Sequence, residues 1–286
     1  MNNKINFTNE DILHLECGGV EYLQFKILNK YSDKIKHLTT LRHGGVSKSP
    51  YDTLNFRLAG KDKKENVIKN LEIITNIMDI SSNDLFKGSQ AHTDNVLIID
   101  NNNKKEYKFE DVSKVEIDGY ICKEKNIATL VTTADCNPII IYDKEKNIYA
   151  NVHSGWKGTI KQIYLKAAQI MHNKFNSNYA DLIICVGPSI KSCCFSSEDE
   201  EFKKKFTNIW NEEEKYIYYE EGSKIFHIDL SYVIKQDFLN LGVKEENIVI
   251  PNICTKCNTN SFFSYREATQ KGYDDYGTMA TIISIT

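Results

Sequence analysis

Apolar residues recur along this chain with two periods, and the periods predict its elements. Val67, Ile68, Leu71, Ile74, Ile77 and Met78 share one helical face of Lys64–Met78. Ile160, Ile163, Tyr164, Ala167 and Ile170 repeat that spacing, which predicts a helix over 160–175. Residues 229–241 predict another, closed by Gly242 as its C-cap. Ser197, followed by Glu198, Asp199 and Glu200, signals a helix start running to about Phe206, its acids favoured by the N-terminal dipole. Short apolar, β-rich runs predict strands at 22–28, 36–42, 96–99, 128–132, 138–142, 148–152, Leu182–Val186, 248–250, 262–265 and Met279–Ile285. The polar stretch 101–111 reads as a loop insertion. Strands and helices interleave without strict βαβ alternation, so the expected fold is α+β with mixed sheets.

Bulk properties narrow the function classes. No repeat or Pro/Gly/Ser-rich linker divides the 286 residues, which can bury a substantial core. A formal charge of −3 leaves no basic footprint for nucleic acid. No apolar run is long enough to span a bilayer, and residues 1–6 lack the apolar core of a signal peptide. The expectation is a cytoplasmic protein with no nucleic-acid or membrane partner. Its eight cysteines are then expected as thiols or metal ligands rather than disulfides.

The candidate chemistry lies in polar, glycine-bearing segments at strand ends. Cys136 stands in Thr133-Ala134-Asp135-Cys136-Asn137-Pro138, and His153 opens His153-Ser154-Gly155-Trp156-Lys157-Gly158. Two strands reading as buried join them, and His92 lies upstream in Ser89-Gln90-Ala91-His92-Thr93-Asp94. A lone buried Cys or strand-end His is ordinarily structural. Two such segments at consecutive strand ends argue instead for a shared metal ion. Two histidines and a cysteine would give zinc three ligands and leave the fourth position open, as in catalytic zinc sites.

Two anion sites are also candidates. One is the helix start at Gly155 with Lys157; the other is Arg42-His43-Gly44-Gly45, where glycines allow close backbone approach and Arg offers a bidentate fork. Asp135 could orient a ligand or move protons, and equally could cap the turn. Asp118-Gly119 reads as a turn. Cys254-Thr255-Lys256-Cys257 is a CxxC; a structural zinc needs a second pair, and the adjacent Cys193-Cys194 has the wrong spacing, so these read as structural thiols. Phe262, Phe263 and Tyr265 read as core packing on a strand.

Taken in order, Thr40-Leu41-Arg42-His43-Gly44-Gly45-Val46-Ser47, the His92 segment, Asp118-Gly119, the Cys136 and His153 segments, Gly187-Pro188-Ser189-Ile190 and Phe262-Phe263-Ser264-Tyr265-Arg266 resemble the multicopper-polyphenol-oxidase-like family, also called the YfiH or laccase-domain family. The resemblance runs from about Leu38 to the C-terminus. It implies a single domain over 1–286, sheets packed inside outer helices, with 1–35 as a peripheral segment. It further implies zinc on His92, Cys136 and His153, and phosphorolysis of purine nucleosides (adenosine, inosine, guanosine or methylthioadenosine) with inorganic phosphate. Adenosine deaminase activity is implied as well. Arg42, Lys157 and Arg266 would bind phosphate or substrate, while Asp135, His43 and Cys136 would take part in catalysis.

The chain also departs from the family pattern. Thr93 replaces the usual Gly, and Glu267 and Tyr273 stand where second and third tail arginines are common, leaving Lys271 as the nearest substitute. Laccase chemistry needs about ten histidines, and the chain has seven. Two other readings compete: a metal-free hydrolase in which His153 activates Cys136, and a peptidoglycan-editing role.

Overall fold

The computed structural model describes residues 5–107 and 115–286. Two six-stranded mixed sheets lie face to face, with helices on both outer sides. The first runs, edge to edge, Ile12–Cys17, Val20–Phe25, Ile35–Thr40, Met279–Ile285, Ala128–Thr133, Leu85–Phe86. The second runs Ile248–Val249, Leu182–Val186, Asn137–Asp143, Ile148–Ser154, Gly119–Cys122, Val96–Ile98. The expected layered α+β architecture is therefore present.

Alternation along the strands builds these layers. In Asn137–Asp143, Ile140 and Tyr142 face the inter-sheet core with Val131, Met279 and Ile283 of the first sheet. Ile139 and Ile141 point the other way, onto Ala167, Met171 and Phe238 of the helices Ile163–Phe175 and Leu230–Leu241. A strand buried on both faces needs an unbroken apolar sequence, which is why this run lacks polar alternation. On the first sheet, Leu130, Ala280 and Ile282 meet Val67, Leu71 and Ile74 of Lys64–Met78. Each such buried aliphatic side chain contributes about 1.5–3 kcal/mol.

Several boundaries differ from expectation. The run at 22–28 stops as a strand at Phe25 and turns helical over Lys26–Asn29. The helix over 160–175 is two helices, Trp156–Ile160 and Ile163–Phe175, because Gln162 adopts φ 52° between them. Asp199, not Ser197, caps Glu200–Thr207. Residues 262–265 form no strand; Ser264 accepts from the Glu267 N–H and starts the helix Tyr265–Gln270. Within the 101–111 stretch, Lys104–Tyr107 is a short 3-10 helix and 108–111 lie outside the described residues. The N-terminal strands Ile12–Cys17 and Val20–Phe25 form the edge of the first sheet, with Ile12, Leu23 and Phe25 in the core. None of the described helices is long and apolar enough to cross a membrane.

Candidate metal centre and its cavity

Strand register brings the predicted ligands together. Pro138 pairs with His153 and Asn137 with Ser154, so Cys136, one residue before its strand, and His153 leave the same end of the sheet. Gly119 pairs with Val152, which sets Asp118 beside His153. The His153 N–H donates to the Asp118 carbonyl at 2.7 Å, and its Nδ1 lies 2.7 Å from Asp118 Oδ1. With the carboxylate ionised, Nδ1 carries the hydrogen and Nε2 is left for the cluster.

His92 arrives on a loop that Gln90 ties to the first sheet. The Gln90 amide donates to the Thr132 carbonyl and accepts from the Thr132 N–H, each at 2.8 Å. Asp118 then accepts the N–H groups of Ala91, His92 and Thr93 at 3.3, 3.2 and 2.7 Å. One buried carboxylate thus orients the ring of His153 and the backbone of His92. The residue that reads as a turn in the sequence is the pivot of the site, and such outer partners fix ligand geometry in metal sites. His92 at φ 60° and Asp135 at φ 85° occupy the left-handed region, a strain of about 1–3 kcal/mol each that these hydrogen bonds sustain.

The ligand atoms of His92, Cys136 and His153 all lie within 4.8 Å of one another. Cys136 Sγ is 3.7 Å from His92 Nε2, and the two imidazoles stand nearly perpendicular at 80°. Gly155 closes behind them: a Cβ there would come 2.8 Å from both Cys136 Sγ and His92 Cδ2. Burial pushes the Cys136 thiol up, but His153 and His92 outweigh it and bring it down to about 7. Burial pulls His153 down, while Cys136 and Asp118 raise it to about 9. For Asp118, burial acts upward and the His153 and Thr93 hydrogen bonds hold it at about 2. A thiol, one imidazole held by a carboxylate and a second imidazole, backed by a glycine cradle, fit a three-ligand zinc ion.

The cluster lines a cavity of about 770 Å³, within the roughly 300–1,000 Å³ of small-molecule sites. Of the other predicted residues, Asp135, Lys157 and Arg266 also line it; Arg42 and His43 do not. Arg42 donates to the carbonyls of Asp52 and Thr259 at 2.8 and 2.7 Å and packs over the Phe263 ring, and His43 bonds the Asn260 carbonyl. Gly45 there serves backbone packing, since a Cβ would come 2.3 Å from the Thr53 carbonyl oxygen. That motif locks the end of the first sheet onto the 259–261 loop, away from the cavity. The Lys157 segment is a five-residue helix rather than the start of a long one.

Asp135 is fully engaged. Thr255 Oγ1, Ser264 Oγ and the Arg266 N–H donate to its carboxylate at 2.6, 2.9 and 2.7 Å. Burial raises its pKa against these donors. It joins the Cys136 turn to the 255–266 segment, and it also lines the cavity. The Arg266 guanidinium turns to the Cys194 carbonyl at 3.1 Å. Lys271, the C-cap of the helix Tyr265–Gln270, bonds Glu267 at 2.8 Å and is not part of the cavity. Phe262 and Phe263 are core residues as expected, whereas Tyr265 is 53% exposed and lines the cavity.

Sequence reasoning missed Arg57 and Lys87. Both line the cavity. Arg57 lies over the Tyr276 ring at 4.0 Å and within 3.4 Å of Asp275. Burial pulls the Lys87 ammonium down to about 8, against the upward effect of Asp118. Lys87 stands next to the Gly88-Ser89-Gln90 run, the only signal that could have marked it. The CxxC also has the partner that spacing denied it: the sulfurs of Cys193, Cys194, Cys254 and Cys257 lie within 4.8 Å of one another.

These features define a class: an α+β protein built on two facing six-stranded sheets, with a His/Cys/His cluster where the chain crosses from one of them to the other. The solved structure of YlmD from Geobacillus stearothermophilus has the same fold, with TM-score 0.86 at 22% identity, covering 96% of this chain and 99% of that one. The family model described as multi-copper polyphenol oxidoreductase laccase matches residues 36–286, and the chain belongs to that family. A relative from Bacteroides thetaiotaomicron, named purine nucleoside phosphorylase, is 29% identical over 245 residues, 85% of this chain and 90% of that protein. Another, from an unknown prokaryotic organism and named adenosine deaminase RL5, is 29% identical over 197 residues, 66% of this chain and 72% of that protein. Two of the seven histidines join the cluster.

Proposed function

We propose that the cavity is the active site of a zinc-dependent purine nucleoside phosphorylase that also deaminates adenosine. One observation carries this reading: the His92–Cys136–His153 cluster, the cations Arg57 and Lys87 and several aromatic rings face the same cavity. Zinc on those three ligands would supply Lewis-acid activation at the reacting centre. Asp118 keeps His153 in the tautomer that presents Nε2. Lys87 and Arg57 supply positive charge for phosphate, with Arg57 offering the planar fork. Trp156, Tyr265 and Tyr276 line the cavity and give it aromatic surface for a purine. Arg266 frames the wall, and Lys157 adds charge. In phosphorolysis a phosphate oxygen bonds to C1′ as the C1′–N9 bond breaks, and the purine leaves with the electron pair and takes up a proton. In deamination water adds at C6 and ammonia leaves. Positioning and fixed charge account for the rate.

The lowered Cys136 thiol beside His153 favours a second reading, a metal-free Cys/His hydrolase. The test is to quantify bound metal, then incubate the protein with adenosine or inosine, with and without phosphate, and resolve the products. Hypoxanthine and ribose 1-phosphate should form from inosine only when phosphate is present, and adenosine should give inosine without it. Inosine cleavage independent of phosphate overturns the phosphorylase reading; full activity in metal-free protein favours the hydrolase.

A further inference from the structure

Four cysteines that the proposed reaction does not use converge beside the cavity wall. Cys193 and Cys194 lie in the turn after Ile190, and Cys254 and Cys257 in the loop after Pro251. The two segments are laced together: Ser189 donates to the Ile253 carbonyl at 3.3 Å, and Thr255 returns a hydrogen bond to the Ser189 carbonyl at 3.1 Å. The N–H groups of Cys194 and Phe195 both donate to the Lys191 carbonyl at 2.9 Å. Consecutive residues of an extended strand would point to opposite faces. This turn instead carries both Cys193 and Cys194 to Cys257, at Sγ–Sγ distances of 3.6 and 3.4 Å.

We propose that Cys193, Cys194, Cys254 and Cys257 form a second, structural metal site, a tetrathiolate centre for Zn²⁺. The sulfurs span at most 4.8 Å, and the ~2.3 Å Zn–S bond of a tetrahedral site places sulfurs roughly 3.8 Å apart. All four are free thiols. The backbone N–H groups of Lys191 and Cys257 reach the buried Cys254 sulfur, as donors that stabilise a ligating thiolate. Four thiolates around a divalent ion leave net negative charge. Lys191 offsets it, a buried ammonium bonded to the Ser231 hydroxyl at 2.9 Å rather than to a carboxylate. Thiolate ligands alone select zinc over harder ions.

Such a centre would brace the active site without touching substrate. Thr255, inside the CxxC, donates to Asp135 next to Cys136, and Arg266 is tied to both the Cys194 carbonyl and Asp135. The proposal does not depend on the reaction assigned to the cavity, and its test reads metal and thiols rather than turnover.

Native mass spectrometry of protein purified in the presence of zinc and reductant should show about two zinc ions per chain, one of them lost in Cys193→Ser/Cys257→Ser. Wild-type protein gives a control that needs no variant to fold. Iodoacetamide labelling mapped by peptide should leave the exposed Cys193 and Cys257 protected until a zinc chelator is added. Equal labelling rates with and without chelator overturn the proposal, and so does a mass lower by two hydrogens, which marks a disulfide among the four.

Discussion

The two sulfur-bearing clusters show what separates an open site from a closed one. At His92, Cys136 and His153 one thiol and two imidazoles face a cavity, and a buried carboxylate does the orienting. At Cys193, Cys194, Cys254 and Cys257 four thiols face one another, and backbone N–H groups take the carboxylate's place. Three mixed ligands leave a coordination position for substrate or water; four thiolates close the shell. The difference also lies in the scaffold. Strand ends in fixed register carry the open site, whereas two laced loops carry the closed one.

The sharpest way to break the comparison is Gly155→Ala. A Cβ at 2.8 Å from Cys136 Sγ and His92 Cδ2 must displace a ligand, and a displacement on the order of 1 Å costs ~100-fold in turnover. Metal analysis should show the open site empty and the thiol cluster full. Unchanged occupancy and rate would mean that the backbone behind the cluster has room to shift.

Asp118→Asn tests the carboxylate as pivot. Asparagine can still accept from His153 Nδ1 but no longer provides the charge, and removal of such a partner weakens metal binding by about 10–100-fold. Competition with a chromophoric chelator measures this directly. Zinc on the four cysteines should be released as in the parent, and equal release from both sites would remove Asp118 from its role.

A smaller effect is expected at Lys87, which bears on the open site only through charge. An ammonium is charged below its pKa and neutral above it, so phosphate binding should weaken as pH rises through about 8. Lys87→Met should raise the KM for phosphate by about 10-fold at pH 7, the loss of one charge-assisted contact, and flatten its rise between pH 7 and 9. A variant that keeps the parent's pH profile would assign that titration to another group.

Legibility in the sequence followed the range of each interaction. Lys64–Met78 was readable residue by residue, because one apolar face of a helix repeats every three or four positions. The break at Gln162 was not, since the apolar spacing runs through it while a single left-handed residue redirects the chain. His92, Cys136 and His153 were legible as candidates because each sits in a dense polar segment at a strand end. Asp118 was passed over as a turn, Arg57 and Lys87 carried no motif of their own, and Arg42 and His43 carried one that serves the sheet end.

The chain by itself determined the α+β class, the buried strands, the candidate triad of His92, Cys136 and His153 and the family resemblance, all of which depend on residue type and short spacing. Tertiary structure alone decided which groups share a space. Adjacent cysteines fail every spacing rule for a metal pair, yet a turn at Lys191 and a laced loop bring them to Cys254 and Cys257. Asp118 becomes the pivot of the His/Cys/His cluster because the pairing of Gly119 with Val152 seats it beside His153. Sequence records local periodicity; the meeting of segments tens of residues apart is set by strand register and loop packing, which no local pattern encodes.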